Sequence, residues 1–193
     1  STNVAVGTDA LGANTTASNN VAIGYDSLVA NTTGTQNVAV GGLAGDANVS
    51  GNYNTLIGYN AGGALDGNFN AFLGRSSGSA VTSGTKNTII GSYNGNQEGL
   101  DIRASSNNIV LSDGDGNPRV FVNSAGNLLV GTTSGTPTTK VNITQTANNL
   151  AAYIYASLGS GYTSTVFAAQ GNQSTTNESY YLAEFVNGNA SGR

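Results

Sequence analysis

Asn20-Val-Ala-Ile-Gly24 decides the fold, because the same five-residue pattern keeps returning along the chain. It precedes itself as Asn3-Val-Ala-Val-Gly7 and returns as Asn37-Val-Ala-Val-Gly41, Asn54-Thr-Leu-Ile-Gly58, Asn70-Ala-Phe-Leu-Gly74 and Asn87-Thr-Ile-Ile-Gly91. The closing glycines stand 17, 17, 17, 16 and 17 residues apart. A degenerate seventh copy, Asn108-Ile-Val-Leu-Ser112, follows a longer spacer. Between the copies runs a second small-residue series, Ala17, Gly34, Gly51, Gly67 and Gly84. A fixed short period of this kind is the signature of stacked repeats, each unable to bury its apolar face alone.

Each copy reads as a three-residue strand of apolar or β-branched residues. Side chains alternate across a strand, so the first and third residues share one face and the second takes the other. Both faces are apolar, as in a strand covered on both sides. A coil of about 17 residues is too thin to enclose two apolar layers. One face is therefore expected to fill the coil and the other to meet sister chains around a symmetry axis. We assign that second role to the middle residues, Ala5, Ala22, Ala39, Leu56, Phe72 and Ile89, as trimer-core candidates. They grow from Ala to larger residues at position 56, where the axial core is expected to widen. The asparagines Asn3, Asn20, Asn37, Asn54, Asn70 and Asn87 should stack about one strand spacing apart and form a structural ladder. A row of sugar-binding amides is the alternative reading of that ladder. The glycine after each strand permits a positive φ or a close approach between coils.

Composition narrows the function classes. The chain has 193 residues, 8% charged, with a net charge of −4 and no Cys, Met, Trp or His. Disulfides and thiolate metal sites are excluded, and the commonest general base and neutral metal ligand are absent. Six scattered Lys and Arg in an acidic chain argue against nucleic acid. No run of about 18 apolar residues exists to insert in a membrane. A chain opening on Ser1 is expected to be a fragment or a processed product. No cofactor is expected.

The repeats resemble the heads of trimeric autotransporter adhesins, which are trimeric β-rolls. The spacers are more similar to tail fibres of tailed bacteriophages: Val-Ala-Ile-Gly-Tyr-Asp-Ser-Leu (21–28), Ala-Asn-Thr-Thr-Gly-Thr (30–35), Leu-Ile-Gly-Tyr-Asn-Ala-Gly (56–62), Asn108 through Arg119, and Gly126-Asn-Leu-Leu-Val-Gly-Thr132. The likeness covers roughly residues 1–135. It implies a homotrimer in a virion tail fibre, joined to other tail proteins and meeting a host-surface glycan or protein. It also implies a C-terminal chaperone domain that trimerises the shaft and cleaves itself off; none is recognised within these residues. The bacterial-adhesin alternative would place the protein on a bacterial surface.

The expected architecture is all-β. Residues 1–95 form a parallel β-solenoid, or β-roll, of about six 17-residue coils; 96–135 form a transition with β-hairpins; 136–193 form a small antiparallel β-domain and candidate tip. Glu98, Asp101 and Arg103 raise the local charge where the repeat register breaks, as suits a cap. Asp113-Gly-Asp-Gly-Asn117 and Asn123-Ser-Ala-Gly-Asn127 are strong turn signals. The first also mimics the start of a calcium loop, but Pro118 stands where a glycine is needed and Ser124 where an acid is needed, so we read a plain turn and no metal. Tyr153, Tyr155, Tyr162, Tyr180 and Tyr181, beside polar neighbours such as Gln170, Asn172 and Glu184, are glycan-binding candidates, set against the reading that they form the core of a small β-domain. Catalysis is not expected. Polysaccharide hydrolysis, as in a tailspike, needs paired carboxylates, whereas Asp9, Asp26, Asp46 and Asp66 are spread one to a coil.

Overall fold

A computed structural model describes residues 2–133 together with the backbone of 141–143. The described residues contain no helix. Six three-residue strands follow at the repeat spacing: β1 (Val4–Val6), β2 (Val21–Ile23), β3 (Val38–Val40), β4 (Thr55–Ile57), β5 (Ala71–Leu73) and β6 (Thr88–Ile90). They pair in parallel and in register, so that Ala22 lies beside Ala39, Ala39 beside Leu56 and Leu56 beside Phe72. The chain is thus a β-solenoid in which each coil lies on the next.

The stack extends beyond residue 95, where the sequence placed its end. Strand β9 (Ile109–Ser112) pairs in parallel with β6, Ile89 beside Val110. Residues 96–107 are an excursion from one coil and not a cap. They carry the short antiparallel pair β7 (Asn96–Gln97) and β8 (Leu100–Asp101), then rejoin the ladder at Asn108. Tyr93 anchors the excursion: its ring is buried, and its hydroxyl donates to the Leu100 carbonyl at 2.8 Å.

After β9 the direction changes. β10 (Pro118–Val122) pairs antiparallel with β9 and with β11 (Leu128–Val130), through the two turns foreseen at 113–117 and 123–127. β12 (Val141–Ile143) pairs in parallel with β11. It falls within the region 136–193, where an antiparallel domain was expected, and its pairing with β11 is parallel. The remainder of the 136–193 region lies outside the described residues.

The face assignment is corrected. Ala22, Ala39, Leu56, Phe72 and Ile89 are fully buried inside their own coils and cannot be a trimer core. Ala5, in the first coil, is exposed but holds the same register position beside Ala22. It is the first and third strand residues that face outward, with Val6, Leu73 and Ile90 each about half exposed. The reason is the asparagine. It precedes the middle residue by two, so alternation puts both on one side, and the asparagine turns inward because its hydrogen-bond partners are there.

The interior is filled by exchange of volume between two columns. In the second coil a small Ala22 on the strand is matched by Leu28 from the opposite wall, both fully buried. In the fourth and fifth coils the large residue moves to the strand, as Leu56 and Phe72, and the opposite wall carries Gly62 and Gly78. A Cβ on Gly78 would lie 2.4 Å from the Phe72 ring. At the changeover both positions are small, Ala39 and Gly45, and Leu28 and Leu56 reach in from either side to within 3.0 Å of where a Gly45 Cβ would stand.

Coil length is corrected by a side chain. The fourth coil is one residue short, between Asn54 and Asn70. Where a neighbouring coil uses the Val49 carbonyl to accept from the Thr32 and Thr33 amides, this one uses Asp66. One of its carboxylate oxygens accepts from the amides of Val49, Ser50 and Gly51 at 3.0, 2.7 and 3.0 Å.

Volume exchange makes a reciprocal prediction. Phe72→Ala should cost about 3–5 kcal/mol, and Gly78→Leu alone should destabilise by overpacking. Together they recreate the Ala22–Leu28 arrangement, so the double variant should be more stable than the sum of the single losses in urea denaturation.

Candidate functional site

Two surfaces organise each coil, one inward and polar at its corner, the other outward and apolar. The inward corner is the asparagine ladder. The Oδ1 of each asparagine accepts the backbone N–H of the next one: Asn3 from Asn20, Asn20 from Asn37, Asn37 from Asn54, Asn54 from Asn70 and Asn70 from Asn87, all at 2.9–3.0 Å. Asn108 continues the series on Asn87. The Nδ2 of each closes its own coil on the small-residue corner, as Asn20 does on the Gly34 carbonyl at 2.9 Å and Asn37 on Gly51 at 2.8 Å. The ladder thus runs from side chain to backbone at every step, with amide-to-amide bonds added where Asn70 donates to Asn54 at 3.2 Å and Asn108 to Asn87 at 3.0 Å. From Asn20 to Asn87 these side chains are buried, so they present no row of amides to a sugar.

A second inward column went unnoticed in the sequence. Asn14, Asn31 and Asn48 recur at the same 17-residue spacing. Asn31 and Asn48 are buried, and their Nδ2 atoms donate to the Gly34 and Gly51 carbonyls. Asn48 also donates to Asn31 Oδ1 at 2.9 Å. The column stops at Leu65, and both Asn48 Oδ1 and Asn14 Oδ1 are buried without a partner.

The outward face is the larger feature. Alternation carries four residues of each coil onto it: the residue two before the strand, the two outward strand residues, and the residue two after. In the fourth coil these are Tyr53, Thr55, Ile57 and Tyr59; in the fifth, Phe69, Ala71, Leu73 and Arg75. All eight are exposed. The two central columns, from Val4 and Val6 through Val21 and Ile23 to Ile109 and Leu111, hold no charged residue across seven parallel strands. At about 4.8 Å per strand they form an aliphatic stripe about 30 Å long.

The acids of the coils are stacked in a column or engaged within their own coil, and none is gathered with another in a cleft. Asp9 and Asp26 share one column in the left-handed region, at φ 54° and 53°. Asp66 is held by its three amides. Asp46 is pushed up, chiefly by burial. Two open clefts, of about 440 and 580 Å³, contain one carboxylate each, Glu98 and Asp101; Asp101 is paired with Arg103 at 2.7 Å. Neither presents the carboxylate pair that glycoside hydrolysis uses.

In the turn that mimics a calcium loop, the Asp113 carboxylate accepts from the Asp115 and Asn117 amides and from the Arg119 guanidinium. Its role is that of a turn brace. Among the described residues no cluster of three or more acids is placed to hold a metal. Tyr153, Tyr155, Tyr162, Tyr180 and Tyr181 lie outside the described residues.

Two measurements check these assignments. Asn37→Ala removes the acceptor of the buried Asn54 amide, and that orphaned N–H should cost about 1–3 kcal/mol in thermal or chemical unfolding, while the Gly51 carbonyl keeps its bond from Asn48. The Arg119 guanidinium holds Asp113 down at about 2, below the ordinary ~3.9. Asp113 pairing therefore stabilises the turn fully above that ordinary value and is lost as pH falls through about 2. Arg119→Gln should move the Asp113 titration upward, as followed by carboxyl NMR.

Comparison with known proteins returns no matching family model, no curated relative and no solved structure.

Proposed function

We propose that this chain is the protomer of a homotrimeric, non-catalytic tail fibre of a bacteriophage, a shaft segment that serves adhesion to the host surface. The observation that carries the reading is the charge-free aliphatic stripe along seven parallel strands. A contiguous exposed apolar surface of this length marks an interaction site. The repeat gives it the same composition at every level, so an identical copy related by rotation about an axis parallel to the stack meets like with like throughout. The argument from a doubly apolar strand to a homo-oligomer is retained with its faces exchanged: the middle residues fill the coil, and the flanking ones meet the neighbours. A stiff trimeric rod presents any surface contact three times, which raises avidity without new contacts. Its partners on this reading are its own copies, other tail proteins, and a glycan or protein of the host surface, and its place is extracellular, on the virion.

Light scattering after size exclusion tests it. The expected mass is three times the 19.3 kDa of the chain; a folded monomer at all concentrations would overturn the reading. Ile57→Glu with Leu73→Glu leaves the coil interior untouched and sets charges into the stripe. The double variant should keep the β-sheet circular dichroism of the parent and sediment as a monomer.

A further inference from the structure

The stripe has two unlike borders. On the side that enters each strand stand Asn19, Gln36, Tyr53, Phe69, Lys86 and Asn107, all in the left-handed region at φ 58–62°. Asparagine tolerates that conformation and an aromatic residue does not, yet the fourth and fifth coils place Tyr53 and Phe69 there. Their rings stack at 4.7 Å between centroids and 3° between planes, with half of each residue exposed. The border on the leaving side carries Tyr25, Gly42, Tyr59, Arg75 and Ser92. Arg75 is exposed, and its guanidinium has no partner among the described residues. The coil interior explains neither the strained aromatic pair nor the unpaired cation, because neither reaches it.

A closed ring of copies around an axis parallel to the stack has rotation but no translation. The entering border of one copy then meets the leaving border of the next at the same level. The fourth coil brings Tyr53 opposite Tyr59 of the neighbour, and the fifth brings Phe69 opposite its Arg75. From the pairing of these two borders we infer that the ring edge of Phe69 packs against the side-chain stem of Arg75 of the adjacent copy, with Tyr53 and Tyr59 packed together one coil above, and that this patch sets the axial register of the assembly. The inference rests on the oligomeric reading above. The chemistry suits the roles: stacked along the coil axis, the rings of Tyr53 and Phe69 turn their edges to the neighbour, where the apolar stem of an arginine can pack with its head group in water and a second aromatic gains beyond its area. The need for a register device follows from the stripe itself. Its aliphatic residues repeat at each level, so sliding one copy by one coil, about 4.8 Å, would leave the aliphatic contacts almost unchanged. The same slide would set Phe69 opposite Tyr59 or Ser92 and remove it from the Arg75 stem.

The chain has no cysteine, which makes cross-linking direct. Phe69→Cys with Arg75→Cys, treated with a short bismaleimide, should give covalent trimers and nothing larger on denaturing gels. Within one chain the two positions are about 20 Å apart along the extended backbone, beyond the reach of that reagent. Each single variant should stay uncross-linked, and mixing the two should give dimers. An off-level pair, Phe69→Cys with Tyr25→Cys, three coils or about 14 Å apart along the stack, should not react. Trimeric mass with equal reaction of the level and off-level pairs, or with reaction of neither, overturns the border contact while leaving the oligomer intact. A monomeric mass overturns the oligomeric reading, and the contact with it. Phe69→Asn, which places at this site the residue the chain uses at positions 19 and 107, keeps the test independent of folding. It should preserve the sheet spectrum and, on the Arg75→Cys background mixed with Asn19→Cys chains, three coils away as in the control, raise off-level cross-linking several-fold; an unchanged pattern argues against a register role.

Discussion

One inward asparagine per coil is the constraint from which the rest of the structure follows. Its Oδ1 takes the amide of the next asparagine, and its Nδ2 takes the carbonyl at the far corner of its own coil, Gly34 for Asn20 and Gly51 for Asn37. A single side chain therefore fixes both the spacing between coils and the closure of each coil. With the amide buried, an unpaired group at either end is costly, so neither the step nor the closure can drift. The inward turn of the asparagine also decides, through alternation, that the middle strand residue faces in and its two neighbours face out.

Within that frame the remaining residues can differ if volume and hydrogen bonds are conserved locally. Ala22 with Leu28 and Phe72 with Gly78 fill the same space from opposite walls. Asp66 supplies the acceptor that a missing backbone residue would have supplied. These are two forms of one rule: a close-packed interior feels each methylene, and a buried amide must find a partner, but neither condition prescribes which residue meets it. The second column shows the rule at its limit, where Asn14 Oδ1 and Asn48 Oδ1 stay buried and unpaired.

The repeat, the strands and the turns at 113–117 and 123–127 were legible because each has a local signature: a fixed period, a β-branched run, an Asp-Gly or Gly-Asn pair. The facing of the strands was not legible in the strands themselves, because both of their faces are apolar and bulk does not separate them. Ala22 and Ala39 are small and buried, whereas Val6 and Ile23 are large and exposed, and the deciding clue was the polar residue two positions before. The column of Asn14, Asn31 and Asn48 carried the same period and was passed over for lack of a strand beside it. The continuation to β9 was obscured by the inserted excursion at 96–107, whose local charge resembles a cap. What rejoins the chain to the stack is Asn108, bonding to Asn87 across 21 residues. That bond depends on where the insertion leaves the backbone, which no period records.

The outward face makes the functional argument, because the fold places no demand on it. Coil closure, coil spacing and interior volume are all settled by inward side chains. A solvated face at the same positions would accept Lys, Glu or Thr without strain, and Thr55 and Thr88 show that polar residues are accommodated. Valine, isoleucine and leucine nevertheless fill most of the two central columns. An uncovered run of edge-to-edge aliphatic strands would invite indiscriminate association. On the proposed reading, copies of the same chain would cover it and remove that hazard. The borders, where aromatic, cationic and small residues replace the uniform aliphatic pattern, are then where specificity between copies has to reside.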